Sequence, residues 1–287
     1  MNVAGKFFIL SSLFSVFVLP STAIPVSNSP VDGAAAESSY PSPSNALPDG
    51  NAKAMVQRDY VAASVVPSNA KTVASLQAYG DWNASGDKGA VGHSTGYTKL
   101  VSSPTIHGPS RMFFTHYTGS GDERYSINFG ADRVSTNFFY DAWVYLTTSA
   151  SNIANVEMDM NQVIENGQTV IMGVQCDGYS NTWDFTLNLG TAKKRHDHWA
   201  HSHQPCNPKA WTKNAWHHVQ AYYSHNSSGV VTYHTVWFDG VEHPINATVF
   251  SSFALGWGPD LITNFQLDGH GGGSATAYLD NVNISRW

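Results

Sequence analysis

The stretch that most restricts what this chain can fold into is Asn155-Val-Glu-Met-Asp-Met-Asn161, together with the segment running on to Cys176. Apolar Val156, Met158 and Met160 alternate with polar Glu157, Asp159 and Asn161, the period of two by which a strand sends side chains to opposite faces. A return strand reads Gln168 to Cys176, and Asn166-Gly167 between the two marks a hairpin. Its register follows from keeping each face uniform. A two-residue Asn-Gly turn would set Asp159 against Val174 and Met158 against Gln175, mixing polar with apolar on both faces. A three-residue loop, Glu165-Asn166-Gly167 with Gly167 left-handed in a bulge, sets Met158 against Val174, Met160 against Met172, Glu157 against Gln175 and Asp159 against Gly173. This second register is the expected one. It gives a wet face of carboxylates and amides beside a glycine whose missing side chain would let a ligand approach.

The same short-strand grammar continues along the chain. Strands are expected at 111–117, 123–129, 138–147, 154–163, 168–176, 181–188, 215–223, 230–238, 260–267 and 275–285, and Asp239-Gly240 closes a second hairpin. No segment carries a long apolar stripe of period 3.6, so helices are few and short. The expected fold is all-β, a two-sheet antiparallel sandwich of the jelly-roll type. With 287 residues and 42% hydrophobic content the chain can bury a full core, and residues 71–287 are taken as one domain. Charged residues are 13% and the formal net charge is −6 with no basic run longer than Lys193-Lys194-Arg195, which argues against nucleic acid and an anionic membrane surface as partners.

Lys6 precedes an apolar run from Phe7 to Leu19, followed by Pro20-Ser-Thr-Ala23, the pattern of a signal peptide over residues 1–23. The run is shorter than the roughly 20 residues that span a bilayer, so export of a monomer without a membrane span is expected. Residues 24–70, rich in Ser, Pro and Ala, read as a disordered linker. In an exported chain the two cysteines, Cys176 and Cys206, allow a single disulfide.

Phe139-Tyr-Asp-Ala-Trp-Val-Tyr-Leu146, Trp216-His-His-Val219, Val236-Trp-Phe-Asp-Gly240 and Tyr278-Leu-Asp-Asn-Val282 resemble the concanavalin A-like lectin/glucanase superfamily over residues 72 to 287. The resemblance implies that strand 155–161 lies on a concave sheet that binds glycans. Glu157-Met-Asp-Met-Asn161 also resembles the Glu-x-Asp-x-(x)-Glu strand of family 16 glycoside hydrolases. On that resemblance Glu157 would be the nucleophile and Asp159 its tuning partner, the catalytic residues of a hydrolase. Asn161 stands where the acid/base belongs, and an amide has no proton to hand to a leaving sugar oxygen.

A glycan site needs aromatic faces for sugar rings, with amides and carboxylates for hydroxyls. The ligand-binding set expected here is Glu157, Asp159, Asn161, Gln175, Trp183, Trp199 and Gln266, with Trp199 the first choice of platform and Asn264 alternating with Gln266. Trp211 and Trp257 also fall near expected loops. His196, His198, His201 and His203 lie in one stretch before Cys206 that matches no zinc spacing and reads as a polar loop rimming the groove. A lyase would need a base and acid with a neutralising group, for which Asn161, Gln175, His217 or His218 and Tyr222 are the candidates. No cofactor is required, although Asp280 occupies a place where related jelly rolls often hold calcium. Polysaccharide binding, polysaccharide cleavage and a non-catalytic adhesion or envelope module are the three functional readings.

Overall fold

The structure of the protein, a computed structural model, describes residues 64–86 and 92–287. The expected signal peptide and most of the expected linker lie outside the described residues. The strands are β1 (Lys71–Val73), β2 (Asn83–Gly86), β3 (Gly92–Val101), β4 (Ser110–Gly119), β5 (Asp122–Asn128), β6 (Asn137–Leu146), β7 (Ile153–Val163) and β8 (Thr169–Asp177). They continue with β9 (Thr182–Asn188), β10 (Asp197–Pro205), β11 (Trp216–His225), β12 (Val230–Phe238), β13 (Val241–Phe250), β14 (Ser252–Phe253), β15 (Leu261–Gly269) and β16 (Gly273–Arg286). Only short 3-10 turns interrupt them.

Two antiparallel sheets form. The first runs β13-β12-β11-β6-β16-β4-β3 with β1 paired to β16, and the second runs β10-β9-β8-β7-β15-β5-β2 with β14 paired to β8. Their apolar faces meet: Phe113 of β4 packs on Phe265 of β15 at 5.0 Å, Phe185 of β9 on Tyr233 of β12 at 5.1 Å, and Trp183 on Phe238 at 6.3 Å. This is the expected all-β sandwich, and each fully buried large side chain in it contributes roughly 1.5–3 kcal/mol by leaving water.

The organising hairpin has the register that uniform faces demand. Val174 lies opposite Met158, Met172 opposite Met160, Gln175 opposite Glu157 and Gly173 opposite Asp159. Gly167 is left-handed at φ 78°, closing the Glu165–Gly167 loop. At the second hairpin both Asp239 and Gly240 have positive φ, the turn that matches the strand twist, and Phe238 pairs with Val241.

The strands β1, β2, β3, β10 and β14 lie outside the expected ranges, and β3 and β10 are the longest of them. The histidine-rich stretch is a strand, β10, on the edge of the second sheet and not a loop. Its alternation is hidden because, on an edge strand, both faces carry polar groups. Gly92–Val101 forms β3, an edge strand whose Gly, Ser, Thr and Lys content conceals it in the same way.

Cys176 is bonded to Cys206, as the two-cysteine count allowed. The bridge ties β8 to the segment after β10, and so holds the edge strand to the middle of its sheet.

Candidate functional site

The polar side chains of the second sheet stand in register across neighbouring strands, on the face turned away from the first sheet. One row contains Trp199, Thr186, Gly173, Asp159, Asn264 and Ser126, and Val174 opposite Phe185 fixes where β9 joins it. The next row contains His201, Asp184, Gln175, Glu157, Gln266 and Arg124. A third holds Asp177, Asn155, Asp268 and Asp122. Of the expected ligand-binding set, this face brings together Glu157, Asp159, Asn161, Gln175, Trp199 and Gln266.

Trp183 is not among them. It pairs with Cys176 on the core face, fully buried against Phe238, because its alternation with Phe185 sends both inward. Trp211 is likewise buried, its ring centre 4.7 Å from that of Phe238.

The face is polar but not wet. Glu157 is 6% exposed, Asp159 2%, Asn161 1% and Gln175 3%. The expectation that Gly173 opens a way for a ligand is corrected by what fills its side of the sheet. A Cβ there would run into the Asp159 carboxyl and the Thr186 methyl, so the glycine makes room for Asp159 itself. Glu157 and Asp159 stand two residues apart on one side of β7, and Asn264 lies directly opposite Asp159 on β15. Asp159 Oδ1 and Asn161 Nδ2 are left without partners. Burial first, then the charges of Asp159 and Asp268, pushes Glu157 well above the carboxylate range. Burial raises Asp159 to about 6.

At the end of the face near the β8–β9 turn, Asn155 Nδ2 donates to Asp268 Oδ2 at 3.2 Å and Gln266 Nε2 to Asp268 Oδ1 at 3.0 Å. Burial raises Asp268 well above its ordinary value, and the neighbouring charges of Asp122 and Asp177 add to the rise against these two donors. Asp177 accepts from the Tyr179 and Ser180 backbone N–H groups at 2.6 and 3.3 Å, a turn that holds Tyr179 over the carboxyl end. Tyr179 is 56% exposed, and its hydroxyl lies 3.2 Å from His270 Nδ1. None of Tyr179, Asp268, Asp122 and Asp184 was picked out from the sequence. Counting two residues outward from Glu157 and Gln266 along their strands would have reached Asn155 and Asp268.

The four clustered histidines do not converge. His201 shares the polar face with Trp199, whereas His198 pairs with Leu187 on the other face. His201 Nδ1 lies 2.8 Å from Asp184 Oδ2, and Asp184 also accepts from Thr182 Oγ1 at 2.6 Å and Ser180 Oγ at 3.2 Å. Asp177, Asp184 and His201 offer ligand atoms within 4.8 Å of one another, but these internal donors already occupy the Asp184 oxygens.

Asp280 is surrounded by donors: Thr105 Oγ1 at 2.8 Å, Gln77 Nε2 at 3.3 Å and the backbone N–H groups of Ile106, His107 and Asn281 at 2.6, 3.1 and 2.7 Å. Calcium takes oxygen ligands, so residues that present N–H groups to this carboxylate do not fit it.

The lyase set is also divided. His218, hydrogen-bonded to Asp141 at 2.7 Å, and Tyr222, stacked on His234 at 4.1 Å, belong to the first sheet. His217 is turned into the core against Phe238. Asn161 and Gln175 are on the second sheet. Two surface depressions, of about 500 and 360 Å³, lie away from the polar face, beside Asn166, Lys193 and Phe250 and beside Leu100 and Pro109.

No protein-family model matches the chain, and no curated protein sequence matches it. Among solved structures, a carbohydrate-binding module of the β-sandwich superfamily aligns with a TM-score of 0.39 at 10% identity, over 72% of this chain and 57% of that one. This chain thus spans little more than half of that protein. Peanut lectin aligns at 0.39 and 11% identity, covering 76% and 98% of the two chains. A cellulose-induced protein aligns at 0.38 and 14% identity, covering 66% and 85%.

Proposed function

We propose that the protein is exported and binds a polysaccharide on the outer face of the second sheet, acting as a monomer without a membrane span. The observation that carries this reading is the row of Trp199, Asp159 and Asn264 beside the row of Gln175, Glu157 and Gln266. An aromatic ring at one edge suits the apolar face of a sugar, and amides and carboxyls spaced by the strands suit its hydroxyls. Export is supported by the N-terminal apolar run and by a disulfide, a bond that persists in oxidising compartments.

Affinity electrophoresis through gels containing neutral, amino-bearing and acidic polysaccharides tests it. Trp199→Ala and Gln266→Ala should each release the retardation seen with the cognate polymer while leaving the thermal midpoint within a few degrees. Retardation that neither variant changes would refute the site.

A second reading, hydrolysis in the manner of family 16, rests on the Glu157 and Asp159 carboxyls standing on one side of β7 and influencing each other's ionisation. A protonated carboxyl beside an ionising one is the arrangement acid/base chemistry uses. It predicts new reducing ends from the bound polymer, abolished by Glu157→Gln. Binding without such release leaves the protein a binding module.

A further inference from the structure

The first sheet turns a different surface outward. Phe113, Val144, Leu146, Ala277 and Leu279 belong to the core, so the residues alternating with them on β4, β6 and β16 face away from it. Such outward positions of a sandwich are ordinarily polar. Here Trp216, Tyr145, Tyr278, Met112 and Lys99 stand in one row across β11, β6, β16, β4 and β3. Phe114 and Tyr97 pair in the next row on the same side.

The rings are close enough to act together. Tyr145 lies 5.3 Å from Trp216 and 5.6 Å from Tyr278, both edge to face, and Tyr97 lies 5.2 Å from Phe114. Trp216, Tyr145, Tyr278 and Phe114 are half-buried, and Tyr97 is 51% exposed. With neighbouring strands about 4.8 Å apart, the strip from β11 to β3 is about 19 Å long. Neither depression described above is lined by any of these rings, which lie on the open sheet. Apolar rings gathered on one face, away from the core, mark an interaction surface.

The charge on this side selects the partner. Its carboxyls are already met by the protein's own groups: Asp141 by His218 Nε2 at 2.7 Å and Gln220 Nε2 at 3.2 Å, and Asp280 by the donors described above. Among the described residues of the strip, Lys99, at its edge, is the one charged side chain. An uncharged surface complements an uncharged partner, because a strong charge buried on it would go uncompensated. Tyrosine also carries a hydroxyl at the tip of its ring. In a dry protein interface that group needs a matched partner, whereas a sugar offers many hydroxyls beside its apolar face.

We propose that the outer face of the first sheet is a second binding surface, fitted to the flat face of a solid polysaccharide built from packed chains of β-linked, uncharged sugar rings. Sugar rings lie against Trp216, Tyr145, Tyr278, Phe114 and Tyr97, and the length of the strip lets several weak contacts form at once. This goes beyond the reading above, which concerns the second sheet, and does not depend on it.

Co-sedimentation of the full chain with microcrystalline β-1,4-glucan and with crystalline chitin, both uncharged, tests the proposal and tells glucose from N-acetylglucosamine. The chain should adsorb to at least one powder, with a change of less than about twofold between low and high salt, since no charge pair holds it. Tyr97→Ala and Tyr278→Ala should each weaken adsorption about three- to tenfold, and Tyr278→Phe, which keeps the ring, should stay within about twofold of wild type. Leu189→Ala, which removes a side chain 55% exposed between β9 and β10 of the second sheet, should change nothing. Tyr97 is exposed on an edge strand, so its variant keeps the test decisive if Tyr278→Ala fails to fold.

Adsorption to neither powder would overturn the proposal, as would adsorption lost in high salt or reduced equally by Leu189→Ala. Light scattering that shows a wild-type dimer broken to monomers by Tyr97→Ala would give the face to a second copy of the chain instead. Retardation by soluble polymers in a chain that adsorbs to neither powder would remove this inference alone and leave the second-sheet reading in place.

Discussion

Replacing Asp159 by asparagine should make the protein more stable at neutral pH and leave it nearly unchanged at pH 4. Asp159 is buried on the polar face, and burial raises it from 3.8 to about 6. A carboxyl whose folded value lies above its unfolded value binds more protons in the native state than in the unfolded one between those two values. Stability therefore falls as pH rises through that window. A rise of about 2 units at about 1.4 kcal/mol each gives a loss of about 3 kcal/mol, complete above pH 6 to 7.

Asparagine keeps the shape and cannot ionise. The difference between variant and wild type should grow from about zero at pH 4 to between about 2 and 3 kcal/mol in favour of the variant at pH 7.5. Glu157 retains a slope of its own, because its rise comes first from burial and only then from Asp159. Urea unfolding followed by tryptophan fluorescence at pH 4, 5, 6, 7 and 7.5, at fixed ionic strength and with the disulfide intact, measures this. Equal m-values are required for the comparison to hold. A stability difference that does not vary with pH would refute the reasoning, and a variant less stable at pH 7.5 than at pH 4 relative to wild type would reverse it.

Three further outcomes are expected. Gly173→Ala should cost about 1–3 kcal/mol, because the new methyl meets the Asp159 carboxyl and comes 2.8 Å from Thr186 Cγ2; most of that cost should disappear in an Asp159→Ala background, as a double-mutant cycle will show. Replacing both Cys176 and Cys206 by serine should lower stability by about 3–4 kcal/mol, since the bridge closes a loop over a sequence separation of 30, and a urea midpoint unaffected by the change would contradict it. Asp132 is buried, which by itself would raise its pKa. The N–H groups of Ser135 and Val134, the Ser135 hydroxyl and Arg286 Nε outweigh burial and hold it far below the carboxylate range. Its contribution is thus present above pH 4 and lost as the solution is acidified, and Asp132→Asn should cost about 1.5–3 kcal/mol at pH 7 and progressively less in acid.

The sequence by itself determined the class of fold, the central hairpin and its register. Alternation has a period that only a strand satisfies, and Met158, Met160, Val174 and Met172 share a face in one register of β7 and β8 and not in the other. It also determined that Glu157, Asp159, Asn161 and Gln175 share a side, because that follows from the same pairing. Edge strands escaped it: β3 and β10 bury too little for their alternation to register as hydrophobicity, and so the histidine-rich stretch passed for a loop.

What the tertiary structure decided is what each polar or aromatic group meets. Trp183, whose alternation with Phe185 turns it inward, meets Phe238 of the opposite sheet there. Gly173, read as an opening, is filled by Asp159 from the neighbouring strand. Asp280, beside which calcium was considered, is wrapped by N–H groups from the segment at 105–107. His217, His218 and Tyr222 were separated from Asn161 and Gln175 because they belong to the other sheet. The carboxyl cluster that now defines the polar face joins Asp122, Asp177 and Asp268, residues far apart in the chain, and only the order of strands in the second sheet brings their charges together.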